Sequence, residues 1–289
     1  MSIDSTLDRP ASSLHRHRRG VWQVRLAATM IAVLAFLAVA APLIVPHDPN
    51  LVDLAAKLQG PSAAHWLGTD HLGRDMLARL IYGTRVSLGS VAIILVLILA
   101  LGIGVGGVSG YIGGRVDQLI MRFCDVFLTF PTFVLALFLI GVLGTGMVNV
   151  IVAVVLSHWA WYARIVRGLV LSIRERDFVT AAEMAGAGRF RIFVEHIMPG
   201  VLAQLVVLAT LDIGHMMLHV AGLSFLGLGI AAPTPEWGVM INDARQFVWT
   251  QPLLLVWPGM MILVSVMAFN RLGDALRDHL DPAFKAEHC

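Results

Sequence analysis

Apolar residues in this chain gather in blocks of about twenty, separated by short polar segments, which is the length a helix needs to cross a bilayer core. Five blocks meet that length on their own: residues 24–45, 86–108, 126–147, 200–222 and 253–273. A sixth, 148–163, is shorter and ends in the run His158-Trp159-Ala160-Trp161-Tyr162. Trp and Tyr favour the membrane–water boundary, so this block predicts a span that ends at an interface. Lipid offers no partner to bare backbone groups, so each block predicts an α-helix. Six spans place both termini on one side.

Composition agrees. Of 289 residues 57% are hydrophobic and only 14% charged, with a mean hydropathy of +0.78; an ordinary soluble domain has about 25% charged residues. Too little polar surface remains for a soluble fold, and the same figures exclude disorder. A net charge of +2 leaves no large basic face for nucleic acid. Cys124 and Cys289 make neither a disulfide framework nor a cysteine-based zinc site.

Charge also orients the spans. With the N-terminus in the cytoplasm, 16 of the 21 Lys and Arg residues fall inside and 5 outside, the bias of the positive-inside rule. The expected fold class is therefore an all-α membrane protein with six transmembrane helices and both termini cytoplasmic. Its parts are a cytoplasmic tail (1–23), a first span with a long periplasmic loop (24–84), a core of five spans (85–273) and a cytoplasmic C-terminal tail (274–289). The core includes an inner loop over 164–199. Residues 24–45 follow Arg16, Arg18 and Arg19 as a signal peptide would, but their apolar run outlasts the usual core of about 7–15 residues, so they read as an anchor.

The motif search is mostly negative. Gly102-Ile103-Gly104-Val105-Gly106-Gly107 matches the dinucleotide pattern in form, but it lies inside a span with no preceding strand. Glycines four apart (Gly102, Gly106, Gly110, Gly114) instead let helices approach closely in lipid. Neither Lys57 nor Lys285 follows a glycine, so there is no Walker A loop, and the metalloprotease and serine-hydrolase patterns are absent. Any uphill movement must draw on an ion gradient or on another subunit.

The inner loop carries more information. Residues 174–188 read as a charged entry, a short helix and a glycine break. Residues 189–196 read as a second short helix that Pro199 stops. Small residues at Ala181, Ala182 and Ala185 would let the first helix seat in a partner's cleft, and Phe190, Ile192 and Phe193 are expected to be exposed for docking. An amphipathic helix lying on the bilayer is the competing reading.

This loop resembles the cytoplasmic signature of ABC-importer permeases, on Ala181-Ala182, Gly186-Ala187 and Ile197-Met198-Pro199, with Thr180 where the signature has Glu and Met198 where it has Leu. Gly68-Thr69-Asp70, Gly73-Arg74-Asp75, Gly113-Gly114-Arg115-Val116-Asp117, Ser224-Phe225-Leu226-Gly227, Trp237-Gly238 and Asp281-Pro282 look like the peptide and nickel branch of that family. Stretches 65–75, 157–167, 209–222 and 236–246 look most like the second permease subunit of bacterial nickel importers. The resemblance implies a type I importer core in the bacterial inner membrane. It implies as partners a second, homologous permease, two cytoplasmic ATPases and a periplasmic nickel- or peptide-binding protein. It implies no catalysis and no bound cofactor in this chain, ATP being used by the partners. Ala181, Ala182, Gly186, Ala187, Ile197 and Pro199 carry over as ATPase-coupling positions.

Ionisable side chains within spans are costly and point to function. His158 is one. Asp212, His215, Met216 and His219 fall at i, i+3, i+4 and i+7, a stripe of O, N and S donors on one helix face, and imidazole suits Ni²⁺. These five are the candidate translocation pathway. Transient metal contact is expected at His215 and His219 and no stable site, because a pathway must release what it binds. Structural pairing, for instance of Asp212 with a histidine or Ser157, competes with that reading. Outside, His47, His65 and His71 among Asp48, Asp53, Asp70 and Asp75 read as a solvated loop rather than a metal patch, and His15 and His17 as lipid-headgroup contacts. Two other functions fit the pattern less closely: a dipeptide or oligopeptide permease, and a stand-alone ion-coupled metal transporter, which predicts inverted repeats that are not found.

Overall fold

A computed structural model describes residues 11–45 and 47–280, so the sequence readings at residues 1–10, Asp281-Pro282, Lys285 and Cys289, and at the side chains of His15 and His17, lie outside it. The described chain is helical throughout its ordered elements: α1 (Ala11–Ile44), α2 (Met76–Ile112), α3 (Gly114–Leu128), α4 (Thr132–Leu143), α5 (Met147–Arg174), α6 (Asp177–Met184), α7 (Arg189–Arg191), α8 (Met198–Phe225), α9 (Trp237–Ala244) and α10 (Leu253–Leu280). Five helical runs are long and apolar enough to cross a membrane, and a sixth span exists if α3 and α4 are taken together.

The spine of the molecule is the α2–α5 pair. On α2, Ile94, Ile98, Gly102, Gly106 and Gly110 form an i, i+4 ridge of buried positions. Opposite them on α5 lie Val154, Tyr162, Ala163, Val166 and Val170, all fully buried. A Cβ added at Gly102 would sit 2.7 Å from the Tyr162 Cβ, one at Gly106 would collide with the Ala163 carbonyl, and one at Gly110 would lie 2.9 Å from the Arg167 carbonyl. The glycines are packing surface, as the spacing predicts. Helix α8 pairs with α10, α1 lies across α10 and α2, and α9 is wedged between α2, α8 and α10. Among the described side chains of α1, Ala27, Leu34, Ala40 and Ala41 are buried, while Phe36, Val39 and Leu43 face outward as lipid-facing residues do.

Four sequence expectations need correction. The predicted span 126–147 is not one helix: α3 and α4 meet at 84°. Pro131 has no N–H to continue the ladder and keeps Phe130 out of helical backbone, so the helix breaks over Thr129-Phe130-Pro131. The aromatic run at 158–162 does not end its helix, because α5 continues to Arg174 with Val166 and Val170 still buried. The first eleven residues of the supposed loop 164–199 therefore belong to α5. Pro199 stops nothing either. It sits in the first turn of α8, where a missing N–H is harmless, and a π turn over Ile192–Ile197 joins α7 to α8 in one helical run from Arg189 to Phe225. Finally, α2 begins at Met76, so the boundary expected at 84/85 falls within a helix.

The segment before α2 is a solvated loop only in part: His47, Asp48 and Asp53 are exposed, but its end is built in. Asp70 pairs with Arg74 at 2.6 Å and with Arg79 at 3.5 Å, and Arg74 reaches Asp243 of α9 at 3.3 Å; Asp70, Arg74 and Arg79 are buried. Asp75 caps α2 through the Ala78 N–H and lies 2.9 Å from His65 Nδ1. His71 stacks on Phe247, so the three outer histidines do not converge. Over 224–252, likewise expected to be an outer loop, Glu236 accepts from Ser87 Oγ and the Gly238 and Val239 N–H groups, and the wholly buried Trp237 donates its indole N–H to the Leu80 carbonyl at 3.1 Å.

Candidate functional site

The long helices α5 and α8 bring two intramembrane polar positions together. His158 and Tyr162, one turn apart on α5, face Asp212 on α8. The Tyr162 hydroxyl donates to Asp212 Oδ2 at 3.1 Å, and His158 Nε2 lies 3.2 Å from the same oxygen. His215 Nδ1 stands 3.6 Å from Oδ1. Asp212 is 6% exposed, His158 13% and His215 74%. The carboxylate therefore lies at the edge of the bundle, with one oxygen turned inward and the other toward the open face.

The predicted stripe divides. Asp212 and Met216 are buried, and Met216, fully enclosed, fills packing space. His215 and His219 lie toward the open side; His219 Nδ1 is 2.8 Å from the His215 carbonyl, with its ring 5.9 Å from that of Phe133. Ser157, a candidate partner for Asp212, instead donates to the Val154 carbonyl. Tyr162 is the residue that sequence reasoning missed. Its signal was present, because it stands at i+4 from His158 and so shares its face of α5. Among the described residues no group of three or more His, Cys, Asp or Glu side chains is arranged to hold a metal ion.

The loop between α5 and α8 is built as a rigid helix–turn–helix. Helix α6 ends in a glycine cap: Gly186 takes φ +84°, its N–H bonds to the Glu183 carbonyl, and the Ala187 N–H bonds back to Ala182. The loop is fixed to the end of α2, where the Tyr111 hydroxyl donates to the Arg189 carbonyl at 2.6 Å and Arg174 donates to the Tyr111 carbonyl at 3.1 Å. Nearby, Arg167 grips Asp117 with two hydrogen bonds, joining α5 to α3.

Of the coupling positions, Ala181, Gly186 and Pro199 are exposed, Ala182 and Ala187 half-buried, and Ile197 fully buried. Ile197 thus packs within the chain. The expected apolar docking residues also change. Ile192 is buried and Phe193 packs on Tyr111, whereas Phe178, Met184 and Phe190 stand out from the loop, Met184 and Phe190 more than 80% exposed. Sequence spacing could not separate these sets, because the π turn rotates residues 192–197 out of α-helical phase.

Long apolar helices around a polar cluster, with a charged helix–turn–helix projecting from one end, define a multi-pass membrane permease. Residues 102–286 match the family described as "Binding-protein-dependent transport system inner membrane component", and the chain belongs to that family. It is 61% identical over 268 residues to a nickel transport system permease protein of Escherichia coli, covering 93% of this chain and 97% of the relative. A metal-staphylopine import system permease of Staphylococcus aureus is 46% identical over 262 residues, 91% of each chain. A dipeptide transport system permease of Alkalihalophilus pseudofirmus is 40% identical over 259 residues, 89% of this chain and 85% of the relative.

Proposed function

We propose that this chain is the nickel-conducting permease of an ATP-driven, binding-protein-dependent importer, carrying Ni²⁺ or a small nickel chelate across the inner membrane. The observation that carries this reading is 61% identity along 97% of a nickel permease, against 40% to a dipeptide permease of the same family. The intramembrane cluster supports it, because carboxylate and imidazole suit a divalent metal ion.

The chain works with a second permease, two cytoplasmic ATPases and a periplasmic binding protein, and it holds no cofactor of its own. Its α5–α8 loop faces the cytoplasm, where Phe178, Met184 and Phe190 dock on an ATPase. Closure of the ATPases pushes on α6. Because α7, the π turn and α8 form one helical run, that push moves α8 and the Asp212–His215 pair it carries, switching the cavity between outward and inward access.

The test is uptake of radioactive Ni²⁺ by cells that lack other nickel importers and express this chain with its partner subunits. ATP-dependent nickel accumulation at limiting metal is expected. Dipeptide accumulation without nickel accumulation would assign the machine to peptides instead.

A further inference from the structure

Asp212 stands between two imidazoles in different surroundings. Oδ1 faces His215, which is 74% exposed; Oδ2 faces His158, which is 13% exposed. Nδ1 of His158 has no hydrogen-bond partner among the described residues, and Nε2 has only the Asp212 carboxylate oxygen at 3.2 Å, outside hydrogen-bond geometry. A buried polar group left short of partners destabilises the fold, so an incompletely partnered imidazole points to something that completes it. Apart from Asp212, the neighbouring side chains do not. Ser157 is turned to Val154, and the Tyr162 hydroxyl is given to Asp212.

Two ligands bound to one metal ion at about 2.1 Å stand roughly 3.0–3.4 Å apart in octahedral or tetrahedral geometry. The His158–Asp212 separation of 3.2 Å lies in that range, and the His215–Asp212 separation of 3.6 Å lies just outside it. No third acidic, His or Cys donor among the described residues completes either pair into a cage. Each pair can therefore hold an ion only loosely, which is what conduction requires.

We propose that Asp212 is a two-sided relay for a divalent metal ion. His215 and Oδ1 receive the ion at the open face of α8, and Oδ2 and His158 take it over inside the bundle. Tyr162 is a positioning residue: its hydroxyl fixes the carboxylate so that one oxygen faces each imidazole. Its own backbone is held against Gly102, where even a methyl group would not fit. The identity of the ion as nickel rests on the function proposed above; the relay itself rests on the geometry.

Trp161 supplies a probe, its ring lying 5.3 Å from that of His158, within reach of quenching by paramagnetic Ni²⁺. The assembled importer, without its binding protein, is titrated with Ni²⁺, and the Trp161 contribution is taken as the difference from a Trp161→Phe complex. His158→Gln and His215→Gln are each expected to shift that titration about tenfold to weaker binding and to slow nickel uptake. Tyr162→Phe is expected to shift it in the same direction by about tenfold, the low end of the range that orienting groups typically command. Complex yield is measured for each variant, so that weaker binding is separated from failed assembly. Unchanged quenching and uptake in both histidine variants would overturn the relay. Should His158→Gln fail to assemble, His215→Gln alone decides. A wild-type complex that binds Ni²⁺ at Trp161 but imports none would instead sink the nickel-permease reading and leave the metal site standing.

Discussion

Gly106 shows how one missing side chain holds two helices together. Its Cβ position is already taken by the Ala163 carbonyl of α5, so any larger residue must push α2 and α5 apart. Overpacking of this kind typically costs about 1–3 kcal/mol. Gly106→Leu is therefore expected to lower the thermal stability of the complex in detergent and to reduce its yield, and unchanged melting would contradict the packing. Trp237 is the opposite case, a large side chain in a fully enclosed pocket opposite Gly83. Trp237→Ala is expected to cost about 3–5 kcal/mol, read as a lower melting temperature, because it opens a cavity and removes the indole hydrogen bond to Leu80. The glycine ridge was legible in the sequence, since its i, i+4 spacing is local. The Trp237 pocket was not, because its partners Leu80 and Ser87 lie about 150 residues away along the chain.

The coupling loop depends on the capped end of α6 and on a continuous path from there into α8. Gly186 adopts φ +84°, a conformation that side chains other than glycine take only with strain, and nothing lies within 4 Å of its missing Cβ. Gly186→Asp is therefore expected to insert normally while losing ATPase retention and transport, measured by co-purification of the ATPases and by nickel uptake. Retained ATPases and normal uptake would mean that the loop lies on the bilayer surface instead. The two short helices and the glycine break could be read from residue order. The π turn and the buried state of Ile192 could not, because they arise where α7 runs on into α8 while Phe193 packs on Tyr111.

Orientation belongs to the molecule as a whole. Sixteen positive residues on one side and five on the other predict that the loop carrying α6 is cytoplasmic and the segment carrying α9 is periplasmic. A reporter active only in the periplasm is expected to be active when fused after Asp53 or Gln246 and silent after Glu183 or Asp278. Activity after Glu183 would reverse the molecule and remove the basis for ATPase docking. The buried Asp70–Arg74–Arg79–Asp243 network lies at the α9 end, where it locks the segment before α2 onto α9. Arg79→Ala is expected to loosen this end, detected as faster proteolysis of the 47–75 segment. Part of that effect comes from leaving the Asp70 charge buried with fewer partners.

Apolar block length, glycine spacing and arginine distribution are properties of consecutive residues. They determine on their own that the chain is helical, that it lies in a membrane, which faces pack closely and which way it is expected to point. The family motifs needed no coordinates either. The meeting of α5 with α8 was beyond reach. Nothing local says that His158 and Tyr162 stand opposite Asp212, or that His215 stays open while Met216 is enclosed. Those outcomes depend on which helix faces meet once the chain has packed, and a helix's own periodicity defines its faces without naming their partners.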